Sequence, residues 1–99
     1  MTLNVVEIAR ELIKIPSVNP MGHEEDRSVA VEEGVTQYLI DFFESRSIPY
    51  ELQKVQPGRE ILLAMLSGEP GRPVVLLDAH QDTVPVDHMT VEPFGGEVR

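Results

Sequence analysis

An α/β fold class follows from three features of this sequence. Two N-terminal stretches repeat apolar residues at helical spacing, three short runs then read as strands, and the links between those runs are too short to hold crossover helices. The expected arrangement is two N-terminal helices and the first strands of a mixed sheet, the strands forming an antiparallel meander at one edge. With 99 residues the chain makes one domain at most, and a chain of that size buries only roughly 60 to 65% of its unfolded surface.

The first helix is expected from Asn4 to Ile15, because Val5, Ile8, Ala9, Leu12 and Ile13 fall on one stripe. Asn4 with Glu7 three residues on resembles a capping box, and Pro16 stops the run. Pro16 to Gly22 holds two prolines and a glycine and reads as a loop. A second helix is expected to begin near Glu24 and run to about Arg46, with Val31, Val35, Tyr38, Leu39, Phe42 and Phe43 at helical spacing. Glu24, Glu25 and Asp26 would sit at the positive end of its dipole, so His23 and these acids read as an exposed acidic helix start rather than a metal cluster. Gly34 inside the helix either costs up to ~1 kcal/mol relative to alanine or marks a close packing contact.

Strands are expected near residues 49 to 55, 60 to 67 and 73 to 79. The first alternates, with Tyr50 and Leu52 on one face, and Gln56-Pro57-Gly58-Arg59 supplies turn chemistry. The second, Ile61 to Leu66, is almost continuously apolar and ends at Gly68, Pro70 and Gly71. The third, Val74-Val75-Leu76-Leu77, is apolar on both faces, as a strand between two helix layers would be.

Composition narrows the function. A hydrophobic fraction of 41% with 25% charged residues is that of an ordinary globular protein. No run approaches the ~20 apolar residues of a membrane span, and the start lacks the pattern of a signal peptide, so a cytoplasmic location is the default expectation. A formal net charge of -9 argues against nucleic acid and anionic membranes as partners. With no cysteine, a transition-metal site must use imidazole and carboxylate, which makes the three histidines a scarce resource. Gly95-Gly96 lacks the spacing of a phosphate loop, and Ser17, Ser28, Ser45, Ser47 and Ser67 lie outside any nucleophile elbow.

Chemistry concentrates in Leu76-Leu77-Asp78-Ala79-His80-Gln81-Asp82-Thr83-Val84-Pro85, where an apolar strand runs into a polar stretch. That is the end of a strand at which open α/β sheets place their ligand sites. Alternation puts residues 78, 80 and 82 on one side. A metal-ligating histidine needs its other ring nitrogen held by an acceptor, and Asp82, two residues on, is a candidate. The residues alone leave two roles open for His80, a metal or catalytic one and a satisfied structural one.

The same run resembles the first metal-site signature of the dinuclear zinc peptidases and deacylases, which include acetylornithine deacetylase, succinyl-diaminopimelate desuccinylase, carboxypeptidase G and the aminoacylases. Leu12-Ile13-Lys14-Ile15-Pro16-Ser17-Val18-Asn19-Pro20 is similar to that family's N-terminal helix and loop, and Glu92-Pro93-Phe94 to the Pro-Phe that follows its metal motif. These marks occur in family order, and the resemblance runs from about Val5 to Arg99. Ala79 in place of the family's frequent glycine, the additional acid Asp78 and the absence of tryptophan before Pro93 leave the subfamily open.

The resemblance implies a metal-dependent hydrolase of peptide or N-acyl amino acid amide bonds, with two Zn²⁺ ions in the complete enzyme and Co²⁺ as a substitute. His80 would be a metal ligand, and Asp82 the acid that orients it or acts in catalysis. The family's bridging aspartate, glutamate base and remaining ligands come from later motifs. Residues 1–99 are therefore expected to be the N-terminal portion of a zinc-peptidase-like catalytic domain, inactive alone. Asp87 and His88 read as a solvated loop rather than a makeshift second half of the site. The rival readings are a short non-catalytic interaction or regulatory module on the same scaffold, whose open sheet edges would call for a partner or a homo-oligomer, and an unrelated small α/β domain with a structural His80.

Overall fold

The structure is a computed structural model and describes residues 2–19 and 32–99. Two helices, α1 (Val5–Ile13) and α2 (Glu33–Ser45), precede two strands, β1 (Tyr50–Gln56) and β2 (Arg59–Ala64), which pair antiparallel. The result is a small α/β arrangement, and none of the described helices is long and apolar enough to cross a membrane.

Helix α1 starts where its cap predicts. The Asn4 side chain accepts a hydrogen bond from the Glu7 backbone N–H at 3.1 Å, satisfying one of the donors a helix start leaves open. Its end tightens, with Ile15 N–H donating to Leu12 O, before Pro16 forbids another turn. The expected start of the second helix near Glu24, and the acidic cluster beside His23, lie outside the described residues; α2 is described from Glu33. Its C-terminus is a Schellman turn: Ile48 N–H donates to Phe43 O, Ser47 N–H donates to Glu44 O, and Ser47 takes the left-handed conformation at φ 55°. Gly34 is the close contact its position suggested, since a Cβ there would come within 2.7 Å of Ile15 Cγ2.

The hairpin turns on Pro57-Gly58. Proline presets φ near about -65° at the first turn position, and Gly58 supplies φ 76° at the second. Leu52 faces Leu62 and Tyr50 faces Ala64, while the register slips between Lys54 and Gln56, so Val55 bulges out of the ladder. β2 ends at Ala64, short of the expected residue 67.

The third expected strand is not formed. Val74, Val75, Leu76 and Leu77 are 94%, 79%, 76% and 90% exposed, and residues 73–79 join no ladder. A run that is apolar on both faces gains from the extended state only when neighbouring strands take its N–H and C=O groups and helices cover both sides. None of the described residues does this. Among the described residues, the segment that follows is tied back to the loop after α1 by a parallel bridge between Val18 and Thr83, and the buried apolar residues described are Val18 and Val35.

Candidate functional site

Pro16 ends α1 and turns the chain into an extended stretch, Ser17-Val18-Asn19, that lies alongside Gln81-Asp82-Thr83. The pairing is regular: Asn19 N–H donates to Thr83 O and Thr83 N–H donates to Ser17 O, each at 2.8 Å. The Ser17 hydroxyl adds a bond to Gln81 O at 2.8 Å, and Ser17 is only 2% exposed. Gln81 anchors the other side. Its amide nitrogen donates to Glu60 O on β2 at 3.0 Å, and its oxygen accepts from the buried Thr36 hydroxyl on α2, also at 3.0 Å. The polar segment singled out in the sequence is thus tied to the loop after α1, to α2 and to β2.

His80 projects from this frame with its side chain 85% exposed, whereas the Asp82 side chain is 26% exposed. The two meet as the spacing suggested. His80 Nδ1 lies 2.7 Å from Asp82 O and 3.1 Å from Asp82 Oδ1. Both neighbours are acceptors for a neutral ring, so Nδ1 carries the hydrogen and the lone pair falls on Nε2, on the outward edge.

The other carboxylate oxygen, Asp82 Oδ2, accepts from the Asn19 side-chain amide at 2.7 Å and lies 3.8 Å from Arg59 Nη2. Arg59 is held in turn by Glu32, with Nε 3.2 Å from Oε1. Glu32 is buried, and its second oxygen has no hydrogen-bond partner among the described residues. Asp82 is held below the ordinary carboxylate value chiefly by the Asn19 amide, with its own backbone N–H and His80 contributing and partial burial opposing.

An apolar groove of about 510 Å³ opens beside this pair, walled by Ile15, Val35, Leu39, Val84, Met89 and Phe94. Phe94 and Pro93 are thereby brought near His80, although 13 or more residues separate them in sequence. Asp87 and His88 are exposed in a turn, and no group of three His, Cys, Asp or Glu side chains able to hold a metal occurs among the described residues. The donor set therefore fits zinc at one position: an imidazole with its inner nitrogen anchored and its outer nitrogen free suits a ligand, but catalytic zinc takes three protein ligands.

Nothing in the sequence marks Asn19, Gln81, Arg59 or Glu32 as a partner of His80 or Asp82. Only the Ser17-Val18-Asn19-Pro20 likeness pointed at the loop, and nothing local in the sequence links residue 19 to residue 82.

Comparison with known proteins gives one clear likeness. Aminoacylase-1 of Dictyostelium discoideum is 33% identical over 92 residues, which cover 90% of this chain and 20% of the relative. The chain spans about a fifth of the length of that protein. No family model matches, and no solved structure matches.

Proposed function

We propose that this chain supplies the N-terminal part of an aminoacylase-like catalytic domain, which hydrolyses the amide bond of N-acyl amino acids with zinc. The observation that carries the reading is the His80–Asp82 geometry in a chain 33% identical to an aminoacylase: Nδ1 is anchored by two acceptors and Nε2 faces outward. His80 is the metal ligand and Asp82 the residue that fixes its tautomer. When bound, zinc supplies a Lewis acid and an acidified water.

This chain's own residues do the positioning. The Val18–Thr83 bridge and the Gln81 bonds fix the backbone on both sides of His80, so its ring is presented from a rigid segment although it is solvent-exposed. The groove beside it, apolar and lined by Val84 and Phe94, suits the non-polar part of an acyl amino acid.

A chimera tests the proposal. In it, residues 1–99 replace the aligned segment of the Dictyostelium aminoacylase-1, and hydrolysis of N-acetyl amino acids is measured with and without chelator. The expected outcome is chelator-sensitive turnover in the chimera, none in its His80→Ala variant, and none in the 99-residue chain alone, since the resemblance places the glutamate base in a later motif and such a base is worth about 10²- to 10⁴-fold. Full activity with His80→Ala would remove the ligand assignment. The exposed Val74–Leu77 run favours a second reading, a non-catalytic interaction module, and a folded but inactive chimera would select it.

A further inference from the structure

We propose that Asn19 is a positioning residue for the His80–Asp82 pair: by holding one carboxylate oxygen of Asp82 it turns the other toward His80 Nδ1, adding a second acceptor to the Asp82 carbonyl and so reinforcing the tautomer that leaves Nε2 free to bind a ligand. The inference rests on the reading of His80 as a metal ligand and extends it to a residue 61 positions earlier in the sequence.

The geometry assigns the two oxygens of Asp82 different tasks. Oδ2 accepts from Asn19 Nδ2 at 2.7 Å, and Oδ1 lies 3.1 Å from His80 Nδ1. Rotation of the carboxylate about its own axis would exchange or lose both contacts. Among the described residues the Asn19 amide and the Arg59 guanidinium oppose that rotation, and their distances rank them. The amide is at full hydrogen-bond distance, whereas the guanidinium at 3.8 Å is beyond it and acts through charge. Asn19 is therefore the directional part of the clamp.

Asn19 can do this because its backbone is fixed. Its N–H donates to Thr83 O, one residue beyond Asp82, and the Thr83 N–H returns a bond to Ser17 O. The side chain thus starts from a frame locked to the carboxylate it holds. An aspartate at position 19 would keep the shape but set an acceptor against an acceptor. Without the clamp, His80 Nδ1 keeps the Asp82 carbonyl but loses the carboxylate. An unconstrained imidazole favours the hydrogen on Nε2, which blocks that nitrogen as a ligand.

The experiment is ¹⁵N NMR of the imidazole nitrogens in the 99-residue chain at a pH where histidine is neutral, with the exposed His88 as the internal standard for an unconstrained ring. Wild-type His80 should carry its hydrogen on Nδ1. In Asn19→Ala and Asn19→Asp the share of hydrogen on Nδ1 should fall part of the way toward the mixture seen at His88, since the 2.7 Å contact to the Asp82 carbonyl is kept, while the amides of positions 19 and 83 remain protected from exchange. An unchanged tautomer in both variants overturns the proposal. So does a changed tautomer accompanied by loss of protection at both amides, because Asn19 would then act by pairing the loop and not through the carboxylate. The aminoacylase chimera separates this from the ligand reading: full chelator-sensitive activity in its His80→Ala variant removes the ligand role and leaves the tautomer result standing.

Discussion

Gln81 sits between the two residues that drew attention in the sequence, and its role is structural. The residue ties three parts of the fold together, its side chain accepting from Thr36 on α2 and donating to Glu60 O on β2, while its backbone oxygen takes the Ser17 hydroxyl. Replacing it with leucine keeps the bulk and removes both side-chain bonds. Thr36 is 5% exposed, so its hydroxyl would lose its Gln81 partner where little water can replace it. Leaving a buried polar group unsatisfied costs about 1–3 kcal/mol, and Gln81→Leu should lower stability by that amount. Urea denaturation followed by circular dichroism checks it, and an unshifted midpoint would show that the bridge carries no net stability. At this scale the sequence shows what lies within two residues. His80 and Asp82 were legible because alternation puts them on one side; Asn19, Arg59 and Glu32 were not, because each reaches its partner across 23 or more residues.

Between elements, α1 and α2 are joined where Tyr38 donates its hydroxyl to the Glu11 carboxylate. Tyr38 stacks on Phe42, whose ring is covered by the Arg46 guanidinium at 3.7 Å. Burial, then the bond to Glu11 and its negative charge, push the Tyr38 phenol up to about 12 from an ordinary 10.0. The folded chain therefore holds this proton where the unfolded chain has lost it. The resulting stability is complete below pH 10 and disappears as pH rises through 12. Tyr38→Phe should remove that part of the alkaline loss of stability, and the late phenolate absorbance in a spectrophotometric titration should diminish with it. An identical titration curve in the variant would show that Tyr38 ionises as an ordinary phenol. The helices and the hairpin were legible because each is specified locally, by the Asn4 cap, Pro16, helical periodicity and Pro57-Gly58. The run 73–79 was not, because an apolar stretch states only that it can be buried, and whether it becomes a strand depends on neighbours elsewhere.

The whole molecule is loosely gathered. Its radius of gyration is 15.6 Å, against about 13 Å for a compact chain of this length. Large apolar side chains remain in water, the longest run of them at Val74–Leu77. A net charge of -9 opposes self-association between such surfaces, yet the patch should still bind an apolar dye. Val75 and Leu77 alternate onto one side of an extended segment, so the double substitution Val75→Lys, Leu77→Lys should remove one apolar face of the run. Dye fluorescence is then expected to fall. Neither residue contacts the bridged segment through any bond seen in the structure, so exchange protection at Thr83 should persist. The groove beside His80 is another apolar surface that a dye could enter, with its walls of Ile15, Val35, Leu39 and Phe94. Unchanged fluorescence in the double variant, followed by a loss in Leu39→Lys, would place the dye in that groove and show that the 74–77 run is covered in solution. In the aminoacylase chimera the same two lysines test the opposite state: if the added chain buries the run between layers, two unpaired charges there should destabilise the protein severely and abolish folding, whereas wild-type stability would show that the segment stays on the surface.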